Sequence, residues 1–359
     1  MRALILTASI GEGHDLPARL VAGALRARAA DVCVCDPLTE IGGAAKTLVL
    51  GASRLDTRVG RAVFEAGHFA TARNPAGRRL SERLAMRLTA DGLLEIIARE
   101  RPDVIVSTYP GTTGVAARLR RSGRLAVPLV SAITDLTSLH WWAAPGVDLH
   151  LITHPESAGE VRAIAGPSSR VEPVRGLFHD AFLADQGDAR ARLGLPERGH
   201  VVVVSGGGWA VGDLAGAART AVADPRVAAV VVLCGRRDDV RAALSAALPD
   251  VHVWGFTDEM AALLGAATVL IHSTAGLTVL EAQLQGCHVI SYGWGGGHIR
   301  TNNRAYRRLG IAQVVRRRGE LAPALAAALV AGPPAPAWPR HAAFPEAADL
   351  IAGLAAEGS

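Results

Sequence analysis

The chain has 359 residues, a formal net charge of +5, 50% hydrophobic and 20% charged residues, and an aromatic share of only 4%. That length exceeds one ordinary core, so two domains are expected, and the apolar content excludes a disordered polymer. The modest positive charge argues against a nucleic-acid binder and suits an anionic ligand or an anionic membrane face, while four cysteines without a CxxC pair point to core residues in a reducing compartment, not to a metal site or a disulfide frame.

The opening "MRALILTA" is apolar but too short for a signal peptide, and no run reaches the roughly 18–20 apolar residues of a membrane span. Short apolar runs then alternate with helix-like segments. Strands are predicted at 2–7, 31–35, 104–107, 128–132 and 149–153. A second series is predicted at 200–205, 228–233, 251–253, 268–271 and 289–291. Helical periodicity marks 16–28, 114–121, 213–222 and 277–285. Strands that are apolar throughout, each followed by a helix, imply parallel sheets covered on both faces. The fold expected is α/β, two doubly wound Rossmann-like domains. The polar segment "LADQGDARARLGLPERGH" places the boundary near 180–198. A proline-rich connector, "AGPPAPAWPR", then leads to an Ala-rich helix from about 345 to 357, suited to cross back onto the first domain.

Doubly wound sheets bind ligands beyond the carboxyl ends of their strands. Three such ends stand out. "SGGGWAVGDL", 205–214, offers glycines that permit close backbone approach ahead of a helix. "HSTAGLTVLEAQLQG", 272–286, places Ser273, Thr274 and Gly276 before a helix whose N–H groups suit a diphosphate, with Thr274 or Thr278 adding a hydroxyl. Glu281, one turn in, can accept two hydrogen bonds from a ribose diol. "GWGGGHIRTNNRAY", 293–306, offers Arg300, Asn302 and Asn303, whose amides suit sugar hydroxyls. No GxxxxGK[ST] loop occurs, which disfavours a P-loop phosphotransferase, and no dinucleotide GxGxxG follows the first strand.

In order along the chain, "GEGHDLPARLVAGAL", "ITDLTSLHWW", "SGGGWAVGDL", "CGRRDDVRAAL" and "VWGFTDEMAALLGAATVLIHSTAGLTVLEA" resemble the GT-B glycosyltransferases. The likeness is to the group with monogalactosyldiacylglycerol synthases, processive diacylglycerol glucosyltransferases and the N-acetylglucosaminyltransferase that forms lipid II. The resemblance implies two domains facing across a cleft. It divides the chain into an acceptor-binding domain, 1–180, a nucleotide-sugar domain, 198–330, and a returning tail, 331–359. It implies a UDP-sugar co-substrate, no cofactor and no bound metal; the chain contains no DxD motif. By motif match, Phe256 and Met260 flank the uracil and Glu281 holds the ribose. Ser273, Thr274, Gly276, Leu277 and Thr278, with Gly207 and Gly208, hold the diphosphate. Asn302 and Asn303 stand where the lipid II enzyme has paired glutamines that reach the donor sugar; asparagine is shorter.

An inverting transfer needs a base for the acceptor hydroxyl and stabilisation of the departing UDP. His14, in the glycine-rich turn with Gly13, and Asp135 compete for the base role; imidazole titrates near neutral pH. Asp135 is alternatively an orienter of a histidine such as His140, or an N-cap for "LTSLHWW". His140 and Trp141 are acceptor-side candidates, and Trp141 and Trp142 read equally as core. Residues 44–90 hold nine Lys or Arg against three Asp or Glu, a local charge of +6 interleaved with apolar residues. Such a stretch suits anionic lipid headgroups, and the resemblance implies a lipid or polyprenyl-linked acceptor, with the protein expected to be cytoplasmic and peripheral on the inner face of the membrane. The alternatives are a soluble transferase for a small molecule, an isomerase of the UDP-N-acetylglucosamine 2-epimerase kind, and a donor-binding partner without catalysis.

Overall fold

The computed structural model describes residues 1–8, 12–41, 74–274, 276–293 and 298–357. The chain divides into two compact units, Met1–His179 with Phe344–Ser359, and Asp180–Ala343. Each unit is built on a six-stranded parallel sheet.

The first sheet runs in the order β2-β1-β3-β4-β5-β6. Its strands are β1 (Arg2–Leu6), β2 (Asp31–Cys35), β3 (Val104–Ser107), β4 (Leu129–Ile133), β5 (Leu149–Ile152) and β6 (Val171–Pro173). Side chains alternate between the two faces, as the pleat requires. Ala3 and Ile5 join a core with the helix Glu12–Arg26 and the C-terminal helix Ala347–Glu357. Leu4 and Leu6 pack on the opposite face, against the helices Pro75–Glu100 and Pro110–Arg121. A sheet covered on both faces favours apolar strand positions, so its runs read as mostly apolar, with Ser107, Ser131 and His150 as buried exceptions. The tail is held by Ala347, Ala348, Ile351, Leu354 and Ala355, all buried, and by ion pairs of Arg28 with Asp349 (2.8 Å) and Glu346 (3.2 Å).

The second sheet runs in the order β12-β11-β10-β7-β8-β9. Its strands are β7 (His200–Ser205), β8 (Val227–Leu233), β9 (His252–Trp254), β10 (Val269–His272), β11 (His288–Tyr292) and β12 (Gln313–Val315). Val202, Val204, Val269 and Ile271 pack beneath the helices Leu214–Val222 and Arg318–Ala331. The short edge strands β6 and β12 escape the sequence reading: each has three residues, and Glu172 and Gln313 interrupt their apolar runs.

Strand order reverses between β1 and β3 in the first unit and between β7 and β10 in the second. At such switch points the flanking loops part in opposite directions and leave a crevice at the carboxyl edge.

Candidate active site

In the first unit the helix Glu12–Arg26 begins earlier than its periodicity indicates, so His14 stands in its first turn and not in the preceding loop. Pro17 lies inside that helix and cannot donate to the carbonyl of Gly13. Thr134, at the end of β4, takes the vacant role: its hydroxyl donates to Gly13 O at 3.4 Å. The His14 Nδ1 lies 3.0 Å from Thr108 O, just past β3. A carbonyl only accepts, so Nδ1 carries the proton and a neutral ring has its basic lone pair on Nε2. The imidazole thus spans the β1–β3 switch point.

Two aromatic rings flank it, Tyr109 edge-on at 5.2 Å and Trp142 tilted at 5.7 Å. Trp142 is buried, and its Nε1 donates to Asp135 Oδ2 at 3.0 Å. Asp135 therefore holds the indole that packs on His14. Two sequence expectations are corrected here. Asp135 bonds the indole and does not orient His140. It is also not the cap of the following turn: Glu160 Oε1 accepts from the backbone N–H of Ser138 and of Leu139, each at 3.0 Å, because a longer side chain reaches in from the next helix. His140 is exposed and Trp141 half-buried. They line a groove of about 320 Å³ with Arg78, Met86, Arg118 and Arg121. Desolvation, then the charge of Arg78, lowers the His140 pKa. Residues 42–73 of the basic stretch, and 9–11 of the glycine-rich turn, lie outside the described residues. The stretch continues into the helix Pro75–Glu100, where Leu80, Leu84 and Leu88 are exposed at helical spacing beside Arg79, Arg83 and Arg87.

In the second unit all the expected donor residues follow the carboxyl ends of one parallel sheet. The two helix N-termini that follow the switch-point strands β7 and β10 differ. At the helix Leu214–Val222, Asp213 caps the first turn by accepting from Gly216 N at 2.8 Å, so that end is already satisfied. At the helix Leu277–Leu284 the N-cap is Gly276, at φ 108°, and no side chain caps it. An uncapped helix start at a switch point is an anion seat. Glu281 is buried one turn in, and desolvation pushes its pKa up to about 7 against a hydrogen bond from Thr278.

A contact that the sequence did not reveal ties the two donor loops together. His272 and Ser205 are register partners across the β10–β7 switch point. His272 Nδ1 donates to Ser205 O at 3.1 Å, which leaves Nε2 to accept from the Thr274 hydroxyl at 2.7 Å. Full burial lowers the His272 pKa to about 4, so the ring stays neutral. Thr274 therefore spends its proton inward, and Thr278 spends its own on Glu281, so the hydroxyl expected to meet a diphosphate falls to Ser273. A Cβ on Gly212 would overlap Ser273 Oγ, so the loop after β7 closes on the loop after β10 only with glycine there. Gly207, at φ 68°, and Gly208 lie in the short turn Gly207–Trp209. Phe256 is 57% exposed after β9, with the Arg236 guanidinium 5.2 Å from its ring centre, and Met260 is half-buried at the start of the next helix. Asn302 and Asn303 are not in a loop: both are buried in the helix His298–Leu309, and Asn303 Oδ1 accepts from Ser291 Oγ at 2.6 Å. Among the described residues no group of three or more His, Cys, Asp or Glu gathers as a metal would require, and no helix is long and apolar enough to cross a membrane.

Residues 14–176 match the family model for monogalactosyldiacylglycerol (MGDG) synthase. Over 226 residues the chain is 29% identical to monogalactosyldiacylglycerol synthase 1 of Arabidopsis thaliana, covering 58% of this chain and 41% of that protein. It thus spans about two fifths of that plant relative. It is 23% identical over 329 residues to the processive diacylglycerol beta-glucosyltransferase of Bacillus subtilis (strain 168), covering 89% of this chain and 85% of that one. Among solved structures it superposes on spinosyn rhamnosyltransferase SpnG with thymidine diphosphate at a TM-score of 0.62 and 14% identity, covering 99% of this chain and all of that one. The glycosyltransferase SnogD from Streptomyces nogalater gives a TM-score of 0.61 at 21% identity, with both chains covered in full. The chain therefore has the GT-B fold, and over residues 14–176 it is similar to the monogalactosyldiacylglycerol synthases.

Proposed function

We propose that the chain is an inverting glycosyltransferase that moves a hexose or N-acetylhexosamine from a UDP-sugar to a hydroxyl of diacylglycerol or a related lipid acceptor. The observation that carries this reading is the uncapped start of the helix Leu277–Leu284 with Glu281 buried one turn on. A diphosphate satisfies the first, and a ribose diol satisfies the second. The names of the relatives support a lipid acceptor.

The chemistry assigned to the chain is a direct displacement. His14 Nε2 takes the acceptor hydroxyl's proton. The oxygen attacks the anomeric carbon, and the bond from that carbon to the diphosphate breaks. UDP leaves with its charge on the backbone N–H groups of residues 277 and 278. No step requires a cofactor or a resident metal. Asp135 positions, through Trp142, the ring that acts. The groove lined by Met86 and Trp141 is the acceptor site, its apolar wall meeting acyl chains and its arginines the headgroup region. The Leu80, Leu84 and Leu88 ridge beside three arginines fits a peripheral seat on an anionic cytoplasmic leaflet.

The test combines a thermal-shift screen of UDP-glucose, UDP-galactose, UDP-N-acetylglucosamine and dTDP-sugars with transfer to diacylglycerol in mixed micelles, the product's anomeric configuration being read by NMR. UDP-sugars raising the melting temperature and a glycolipid of inverted configuration are the expected results. Transfer to soluble alcohols alone, or a nucleotide-sugar epimer formed without acceptor, would sink the reading.

A further inference from the structure

We propose that Glu160 is a positioning residue for the transfer described above, on which reading this role rests. Through one short turn it sets both the ring that packs on His14 and the wall of the acceptor groove. Glu160 stands in the first turn of the helix Ala158–Ala165 and reaches back to residues 137–139. Its Oε1 accepts from the backbone N–H of Ser138 and of Leu139, each at 3.0 Å, and its Oε2 accepts from the Thr137 hydroxyl at 2.6 Å. Ser157, just before that helix, donates from Oγ to Leu136 O at 2.9 Å. The start of one helix therefore holds the loop at successive residues from 136 to 139.

The turn has little to hold itself. Ser138 lies in the left-handed region at φ 69°, which a residue with a Cβ resists, and its own side chain makes no capping bond. Leu139 opens the turn Leu139–Trp141, so its N–H has no acceptor within the turn. One carboxylate oxygen from outside satisfies both donors.

Leu139 carries the constraint onward. Its carbonyl accepts from the N–H of Trp142 at 2.9 Å and of Ala143 at 2.7 Å. Leu139 and Trp142 share a buried cluster with Val161, the chain neighbour of Glu160. The Trp142 carbonyl accepts from Ser131 Oγ at 2.9 Å, while its ring is held by Asp135 and packs on His14. Two hydrogen bonds in series thus join the Glu160 carboxylate to the residue whose indole flanks the imidazole. His140 and Trp141, inside the same turn, line the acceptor groove, and a Cβ on Gly114 would press on the Trp141 ring at 2.8 Å. A small shift of the turn moves the ring on His14 and the groove wall together.

What Glu160 supplies is reach and an acceptor oxygen. Glutamine keeps both and loses the charge, whereas aspartate keeps the charge and loses one methylene of reach. The experiment compares the wild type with Glu160→Gln, Glu160→Asp and the exposed same-helix control Arg162→Gln, by steady-state transfer in mixed micelles and by UDP calorimetry. Glu160→Asp is expected to lower kcat about 10- to 100-fold and to raise the acceptor KM, with donor KM and UDP affinity unchanged. Glu160→Gln and Arg162→Gln are expected to stay close to the wild type. A second readout needs no reaction. Protonated imidazole quenches an adjacent indole, so acidification should give a tryptophan fluorescence step that is present in the wild type and absent in His14→Asn. Glu160→Asp should diminish that step and Glu160→Gln should keep it, with circular dichroism confirming that each variant is folded. Three results overturn the role: glutamine deficient and aspartate active, both variants equal to the wild type in transfer and fluorescence, or no His14-dependent step in the wild type. A wild type that transfers no sugar to lipid overturns the proposed function instead, and the fluorescence comparison then decides whether Glu160 sets the ring.

Discussion

Glu281 carries a conflict that a ligand resolves. Burial raises its pKa from the ordinary 4.5 to about 7, so between those values the folded chain holds a proton that the unfolded chain has lost. Its contribution to stability is therefore present at the acid side and declines as pH rises from 4.5 through 7. A diol that donates to the carboxylate favours the charged form. UDP affinity should thus rise with pH through the same window. Glu281→Gln should flatten both profiles and weaken UDP roughly ten- to a hundredfold, as read by calorimetry across pH. A wild-type affinity that does not change with pH would detach this carboxylate from the nucleotide. His14 makes a different demand. His14→Asn should lower transfer by about 10²- to 10⁴-fold while the UDP thermal shift persists. Both residues were legible because each follows a strand end within a small-residue stretch. The His272–Thr274 and Trp142–Asp135 contacts were not, since they depend on register across the sheet and on a buried ring, and neither leaves a spacing in the sequence.

At the scale of elements, the long apolar runs announced the central strands, and the glycine clusters announced the loops beyond them. What periodicity missed was short or mixed. Asn302 and Asn303 follow a run of glycines and lie outside every helix predicted from periodicity, yet the helix begins at His298 and takes both inward. The helix Pro75–Glu100 has its leucines on the exposed side over its first half and buried residues such as Leu93 and Ile97 in its second, so no single apolar stripe runs its length. The exposed half offers the sharpest membrane test. Leu84→Ser with Leu88→Ser should weaken binding to phosphatidylglycerol vesicles by about thirtyfold or more in co-flotation, since each exposed leucine that enters a bilayer contributes on the order of 1–2 kcal/mol. The UDP shift should be unchanged. Equal flotation of the double variant would move membrane contact away from this helix.

The whole molecule is organised by its returning tail. Ile351 is fully buried beneath the first sheet with Ala3, Val104 and Leu149, although it lies far from all of them in sequence. Ile351→Ala should cost about 2–5 kcal/mol, chiefly in the unit that contains His14. Two thermal transitions followed by tryptophan fluorescence and by UDP protection would separate the units: the substitution should lower the transition that UDP does not protect. A fall in the UDP-protected transition instead would mean that the units unfold as one. Because residues 180–343 sit between two parts of the first unit, the order of completion on the ribosome is reversed relative to chain order. The later unit has every strand it needs before the earlier one has received its last helix, so a translational pause near residue 344 would leave the second unit finished while the first sheet still lacked one of the two helices that cover its Ala3 and Ile5 face.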